Sequence, residues 1–73
     1  MDQLVEALLR AKESRNIESD YAFAKLLDID SSTWSLIKSG KRRIGNKVLS
    51  KIIIKLPELT VEAMTYMKQQ GSK

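Results

Sequence analysis

A row of serines beside a run of cations is the part of this sequence best suited to bind another molecule. Residues 31–39 read SSTWSLIKS, and GKRR follows directly. On a helix, the outward side of this segment would carry small side chains and one leucine, namely Ser31, Ser32, Ser35, Leu36 and Ser39. Small polar side chains let a helix enter a narrow space, and the adjacent cations can bind phosphates. The pattern therefore predicts a helix that lies in the major groove of DNA.

Two short helices joined by a tight turn are predicted to hold this segment in place. Apolar residues at one-turn spacing mark the inner side of the first helix, namely Phe23, Ala24 and Leu27. Trp34 and Ile37 repeat the spacing on the second helix, which should stop at Gly40, and Ile29 should fill the turn. The spacing of Trp34 to Ile37 predicts a tryptophan in the core rather than one that stacks on a base.

Residues 19–43 also resemble the helix-turn-helix of the lambda-repressor-like, or XRE, regulators of bacteria and phages. The resemblance rests on four features. They are a small residue in the first helix (Ala24), an apolar residue after the turn (Ile29), two apolar residues three apart on the second helix (Trp34 and Ile37), and a glycine followed by cations (Gly40, Lys41 and Arg42). It implies an all-α fold, a five-helix lambda-repressor-like helix-turn-helix domain, with the family's fold over residues 1–56. The chain departs from the family at Asp28, where the turn usually has glycine, and at Asp20, where many members have a phosphate-binding glutamine.

The candidate DNA contacts follow from this arrangement. The side chains predicted to face bases are Ser31, Ser32, Ser35 and Leu36, the last of which could touch a thymine methyl group. The side chains predicted to contact phosphates are Tyr21, Lys38, Ser39, Lys41, Arg42, Arg43, Asn46 and Lys47. Asp20 is expected to cap the first motif helix, with Ser19 as the alternative. Other roles remain open, since the serines and Leu36 would also suit a solvated helix surface and Tyr21 would also suit packing.

The positive charge of the chain is concentrated in one block. Residues 1–37 contain four basic and seven acidic side chains, whereas residues 38–55 contain seven basic and no acidic ones. Residues 56–73 are balanced. Lys47, Lys51 and Lys55 alone could be the solvated side of a helix. Beside Lys-Arg-Arg, however, they indicate a surface that faces a polyanion.

The remaining residues predict a single domain, residues 1–73, built only of helices. An amphipathic helix is expected over residues 3–14, with Asp2 as its cap. A fourth helix should follow the basic residues and stop before Pro57. A final helix is expected over residues 60–69, followed by a frayed tail, QQGSK.

Composition excludes several classes of function. The chain has no Cys and no His, which removes disulfides, the usual zinc sites and histidine acid–base chemistry. Its acidic residues are scattered, so no metal site, no cofactor and no enzymatic activity are expected. No apolar run reaches the ~20 residues of a membrane span, and the beginning, MDQLVEALLR, is not a secretory signal. A cytoplasmic protein without a membrane or small-molecule ligand is expected.

The combined pattern predicts a sequence-specific double-stranded DNA-binding transcriptional regulator. It would be a small repressor of the Cro type, and its size and resemblance imply a phage or mobile-element origin. Such a protein would act by occupying a pseudo-palindromic operator as a homodimer. The predicted dimer interface lies on the final helix and consists of Met64, Tyr66 and Met67, because these side chains cannot all enter one small core. The alternative function is a protein-interaction module on the same fold, such as an antitoxin that binds a partner protein.

Overall fold

The computed structural model describes residues 3–71 and the side chains of residues 3–69. This part of the chain forms five α-helices and one short 3₁₀ turn. In chain order the elements are α1 (Gln3–Ser14), α2 (Asp20–Leu26), α3 (Ser31–Lys38), α4 (Asn46–Lys55), the 3₁₀ turn Pro57–Leu59 and α5 (Thr60–Gly71). This described range contains no strand, so the predicted all-α class is confirmed. α5 continues to Gly71, two residues beyond the predicted end at residue 69. Asp2, expected to cap α1, lies outside the described residues.

Trp34 and Phe23 form the centre of the core, between α3 and α2. Both side chains are fully buried. Their rings meet edge to face with centroids 4.9 Å apart, an arrangement that aromatic pairs favour. The same core contains large aliphatic side chains from the rest of the chain, including Leu4, Leu8, Leu27, Ile37, Ile52 and Leu56. The prediction that Trp34 is a core residue is therefore confirmed.

The first three helices end in the same way, with one residue in the left-handed region. These residues are Asn16, Asp28 and Gly40, whose φ angles are 58°, 59° and 80°. In each case the N–H of that residue and the N–H after it donate to carbonyls three and five residues back. This is the Schellman motif, in which glycine is the usual left-handed residue. Asp28 keeps the turn between α2 and α3 because aspartate tolerates this conformation better than most residues.

The last helix closes the domain by packing against α1 and α4. Ala63 and Tyr66 form its buried side. Outside this contact, Arg15 at the end of α1 binds Glu58 in the 3₁₀ turn, with Nη2 3.0 Å from each carboxylate oxygen and Nε 3.2 Å from Oε2. Both side chains are partly solvated, and solvated ion pairs contribute little to the stability of a fold. The pair orients the turn more than it stabilises the fold.

Replacing Trp34 by alanine should destabilise the domain by about 3–5 kcal/mol, because it removes a fully buried aromatic ring. That loss is comparable with the whole stability of a marginal small domain, ~5 kcal/mol. Trp34→Phe keeps a ring in the core and should cost less. Chemical denaturation followed by circular dichroism measures both variants. A Trp34→Ala protein with an unchanged unfolding midpoint would contradict the buried position.

Candidate nucleic-acid interface

The exposed side of α3 carries the serines that the sequence predicted there. The helix begins after Asp30, the N-cap residue, whose backbone is extended. Trp34 and Ile37 point inward and are buried, which leaves the opposite side to three exposed serines, Ser31, Ser32 and Ser35. Leu36 lies among them and is 40% exposed. The outer side of α3 is thus a surface of short hydroxyl side chains with one apolar side chain.

An open cleft of about 750 Å³ lies at the start of α3. Its walls come from α2, the turn between α2 and α3, the first turn of α3, the start of α4, and the basic loop, which we define as residues 39–45 between α3 and α4. Five of the residues predicted to contact DNA line this cleft, namely Tyr21, Ser31, Ser32, Arg42 and Lys47. Residues that are distant in the sequence therefore meet on one concave surface.

Positive charge exceeds negative charge in the cleft. Its charged lining consists of Lys25, Arg42, Lys47 and Lys51 together with Asp28 and Asp30. Lys51 binds Asp28, with Nζ 3.3 Å from the carboxylate and donating to the main-chain carbonyl at 2.6 Å. This contact ties α4 to the turn between α2 and α3. Arg42 and Lys47 are exposed and are the charges best placed to attract an anion.

Tyr21 lies at the edge of this cleft and does not pack in the core. Its side chain is 62% exposed. The ammonium group of Lys25 lies 5.6 Å from the centre of the ring, within the range of a cation–π contact. The Tyr21 hydroxyl thus lies in a cationic environment at the surface, where it can donate to an anion.

The basic loop presents its cations to solvent while its backbone is held from within. Lys41 and Arg42 donate their N–H groups to the carbonyl of Leu36, at 2.9 and 3.3 Å. The same carbonyl accepts from the hydroxyl of Ser39 at 3.1 Å. The exposed side chains in and after the loop that the sequence predicted are Ser39, Lys41, Arg42, Arg43, Asn46 and Lys47.

Lys38 and Asp20 bind each other, and the role of Asp20 differs from the one predicted. The ammonium group of Lys38 donates to the Asp20 carboxylate, which also accepts the indole N–H of Trp34 at 3.1 Å. Asp20 is not the N-cap of α2, because the Ser19 hydroxyl accepts the N–H of Ala22 at 3.0 Å and caps the helix. Asp20 instead joins α2 to α3. Lys38 is held by this contact, which competes with the phosphate contact predicted for it.

Tyr66 is also placed differently from the prediction. It is 4% exposed, and its hydroxyl accepts the N–H of Ile44 at 3.2 Å. A side chain enclosed in this way cannot form a dimer interface, so this assignment is corrected. The exposed apolar side of α5 consists of Val61, Met64 and Met67, which are 73%, 52% and 46% exposed. We refer to these three residues as the α5 apolar stripe.

No family model, no curated protein and no solved structure matches this chain. The resemblance to the lambda-repressor-like regulators therefore stays a prediction from the motif. Within residues 3–71, no helix has the length and apolar character needed to cross a membrane. The described part of the chain likewise contains no cluster of three or more acidic side chains able to hold a metal ion.

Four contacts of this surface were missed by sequence reasoning. They are the two donors on Asp20, the pairing of Lys51 with Asp28, and the hydrogen bond from Ile44 to Tyr66. Each joins residues at least 14 positions apart in the sequence, and contacts over such separations leave no periodic pattern in the sequence. Only Tyr66 had a usable signal, because it lies on the opposite side of α5 from Met64 and Met67.

The pKa of Asp20 is lowered, chiefly because Lys38 and then Trp34 donate hydrogen bonds to its carboxylate. A carboxyl group whose pKa is lower in the folded state stabilises the fold above its unfolded pKa, and this contribution is lost as the pH falls through the folded pKa. Asp20→Asn should therefore lower the free energy of unfolding at neutral pH by roughly 0.5–1 kcal/mol, the range of a partly exposed ion pair. The difference from the unmodified protein should shrink as the pH falls below 3.8, the ordinary pKa of this group, and should disappear once the pH is below the lowered pKa of the folded state. Denaturant titrations from neutral to acidic pH measure it.

The matched control is Glu13→Gln, which removes an exposed carboxylate from α1. If Asp20→Asn and Glu13→Gln lower stability equally at neutral pH, the contacts of Asp20 with α3 do not stabilise the fold.

Proposed function

We propose that this protein is a sequence-specific double-stranded DNA-binding regulator that acts by occupying its operator. In this proposal α2 and α3 form a helix-turn-helix of the lambda-repressor-like type, and α3 is the recognition helix. The observation that carries the proposal is the cleft at the start of α3, where Ser31 and Ser32 lie beside Arg42 and Lys47. Groups suited to base edges and groups suited to phosphates thus share one surface.

The shape of α3 supports entry into the major groove. The groove is roughly 12 Å wide and admits one helix. Three serines cover the outer side of α3, so the helix can approach base edges closely. Leu36 is exposed among them and offers an apolar contact for a thymine methyl group. Base contacts are accordingly assigned to Ser31, Ser32, Ser35 and Leu36.

The charges around α3 support contact with the DNA backbone on both sides of the recognition helix. Tyr21 and Lys25 lie on the α2 side of the cleft, and Arg42 and Lys47 lie on the side of α4. Backbone neutralisation supplies most of the sequence-independent affinity of DNA-binding proteins. Phosphate contacts are accordingly assigned to Tyr21, Ser39, Lys41, Arg42, Arg43, Asn46 and Lys47, without Lys38.

Removing a proposed phosphate contact should weaken binding to every DNA sequence and reduce its dependence on salt. For Arg42→Ala or Lys47→Ala, the slope of log affinity against log salt should decrease in magnitude by ~0.9 per lost contact. Arg10→Ala is the matched control, because it removes an equal charge from an exposed position on α1. Fluorescence anisotropy with a random duplex at several salt concentrations measures the slopes. Equal changes in all three variants would mean that net charge, rather than this cleft, attracts DNA.

Replacing a base-reading serine should change specificity rather than general affinity. Ser31→Ala and Ser32→Ala should each relax the preference at one or two operator positions, with a loss of roughly 1–3 kcal/mol there. Ser50→Ala, on the exposed side of α4, is the control and should leave specificity unchanged. The measurement is selection of bound duplexes from a random pool followed by sequencing. A parallel loss of specific and nonspecific binding would show that the serines only position the helix.

The same selection experiment tests the function as a whole. Enrichment of a defined motif is the expected result, and a pseudo-palindrome would show recognition by two copies. Absence of any enrichment, together with salt-independent binding, would overturn the proposal.

A homodimer is part of the proposal, because one short recognition helix reads only a few base pairs. Two copies related by a twofold axis would place α3 in successive major grooves, with half-site centres ~34 Å apart. The surface that supports self-association is the α5 apolar stripe, since Met is enriched in protein interfaces. The proposed interface includes Val61 beside Met64 and Met67, because its side chain is also exposed, and leaves out the buried Tyr66.

The dimer is tested by sedimentation at micromolar concentration, with and without operator DNA. Met64→Gln combined with Met67→Gln should shift the protein towards monomer. Ile54→Gln is the control, because Ile54 is a 73% exposed apolar residue on α4. One protein copy per full site at saturation would exclude the dimer. A second polypeptide bound through the stripe would favour the alternative, a module such as an antitoxin that binds a partner protein.

A further inference from the structure

The hydroxyl of Tyr66 connects α5 to the basic loop. It accepts the N–H of Ile44 at 3.2 Å across 22 positions of the chain. Both Tyr66 and Ile44 are buried, each 4% exposed. A buried N–H group requires an acceptor, because leaving it unpaired costs the free energy of its lost hydration. This hydrogen bond is therefore a specific feature of the core and not a solvated surface contact.

The backbone that carries the exposed cations of the basic loop is attached to the domain at two points. At the first, the Leu36 carbonyl accepts the N–H groups of Lys41 and Arg42. At the second, the Ile44 side chain enters the core and its N–H binds Tyr66. Lys41 and Arg42 are themselves held at the first point, and Arg43 lies between them and Ile44.

Part of the loop borders open space. A second cleft, of about 460 Å³, is lined by residues 40–43 together with Val5, Ile37, Ile44 and Tyr66. Glycines border this segment at positions 40 and 45, and no atom lies within 4 Å of where a side chain would begin at either one. Glycine also restricts the backbone less than any other residue. The hydrogen bond from Ile44 to Tyr66, at the end of this segment, therefore fixes where the loop backbone lies.

We propose that Tyr66 is a positioning residue for the phosphate-binding loop, acting through Ile44 rather than by touching DNA. This inference rests on the proposed function, in which the loop binds phosphates. A phenylalanine at position 66 would fill the same space in the core but would leave the Ile44 N–H without its acceptor. The Tyr66 hydroxyl group thus fixes the position of the loop backbone, and the Tyr66 ring packs in the core.

The test compares Tyr66→Phe with Ile52→Val, a core substitution on α4 at a fully buried position that destabilises without removing a polar contact. Amide hydrogen exchange in the free protein, followed by nuclear magnetic resonance, is the first measurement. Tyr66→Phe should accelerate exchange at Ile44 and at residues 41–43 relative to α1, whereas Ile52→Val should accelerate exchange uniformly. The second measurement is affinity for a random duplex. It should fall about fivefold for Tyr66→Phe, the factor that corresponds to one hydrogen bond of about 1 kcal/mol, with a shallower salt slope.

The two measurements separate failure of this inference from failure of the proposed function. If Tyr66→Phe accelerates exchange selectively at the loop but the unmodified protein does not bind duplex DNA, the DNA function is refuted. Unchanged duplex affinity and salt slope in Tyr66→Phe, with binding by the unmodified protein intact, would refute the positioning role. Uniform exchange in Tyr66→Phe, as in the Ile52→Val control, would also refute it. If Tyr66→Phe alone is too unstable to measure, the same comparison is made in an Asn16→Gly background, which relieves the left-handed conformation at the end of α1.

Discussion

The burial of Trp34 is the constraint on which the arrangement of α2 and α3 depends. An indole ring at the centre of so small a core fixes which side of α3 faces inward, and its edge-to-face contact with Phe23 fixes the partner helix. The indole N–H would be costly to bury alone, and Asp20 in the first turn of α2 accepts it. Asp20 in turn holds Lys38 at the far end of α3. The serines face outward because this set of contacts leaves α3 a single rotational setting.

The seven basic side chains of residues 38–55 do not form a uniform surface. Lys38 and Lys51 bind the carboxylates of Asp20 and Asp28 and hold helices together, whereas Arg42 and Lys47 are exposed beside the serines. An ion pair within the fold lowers the affinity of a cation for an external anion, because the internal contact must be broken first. In the proposed function, the loop and the start of α4 would therefore attract the DNA, and the two paired lysines would hold the helices together.

Local features of the sequence predicted most of the fold and part of the candidate site. The bounds of α1, the inward side of Trp34 and Ile37, and the end of α3 before Gly40 follow from helical periodicity and left-handed helix ends. Both features involve residues within a few positions of each other. The partners of Lys38 and Lys51 and the hydrogen bond of Tyr66 could not be predicted in the same way. Several carboxylates and main-chain groups could equally have been partners, and only the packing of the helices selects among them. The outward row of serines was predictable because it lies on the side of α3 opposite to the well-defined apolar side.

The three left-handed helix ends, at Asn16, Asp28 and Gly40, follow one another at intervals of twelve residues. Each reverses the chain through hydrogen bonds that span no more than five residues. Contacts between residues distant in the sequence are accordingly a minority of all contacts. Chains with this property lose little loop-closure entropy before their native contacts form, and small helical domains of this kind fold on the order of microseconds to milliseconds. The helix ends that orient the exposed serines are thus also features that favour fast folding of the chain.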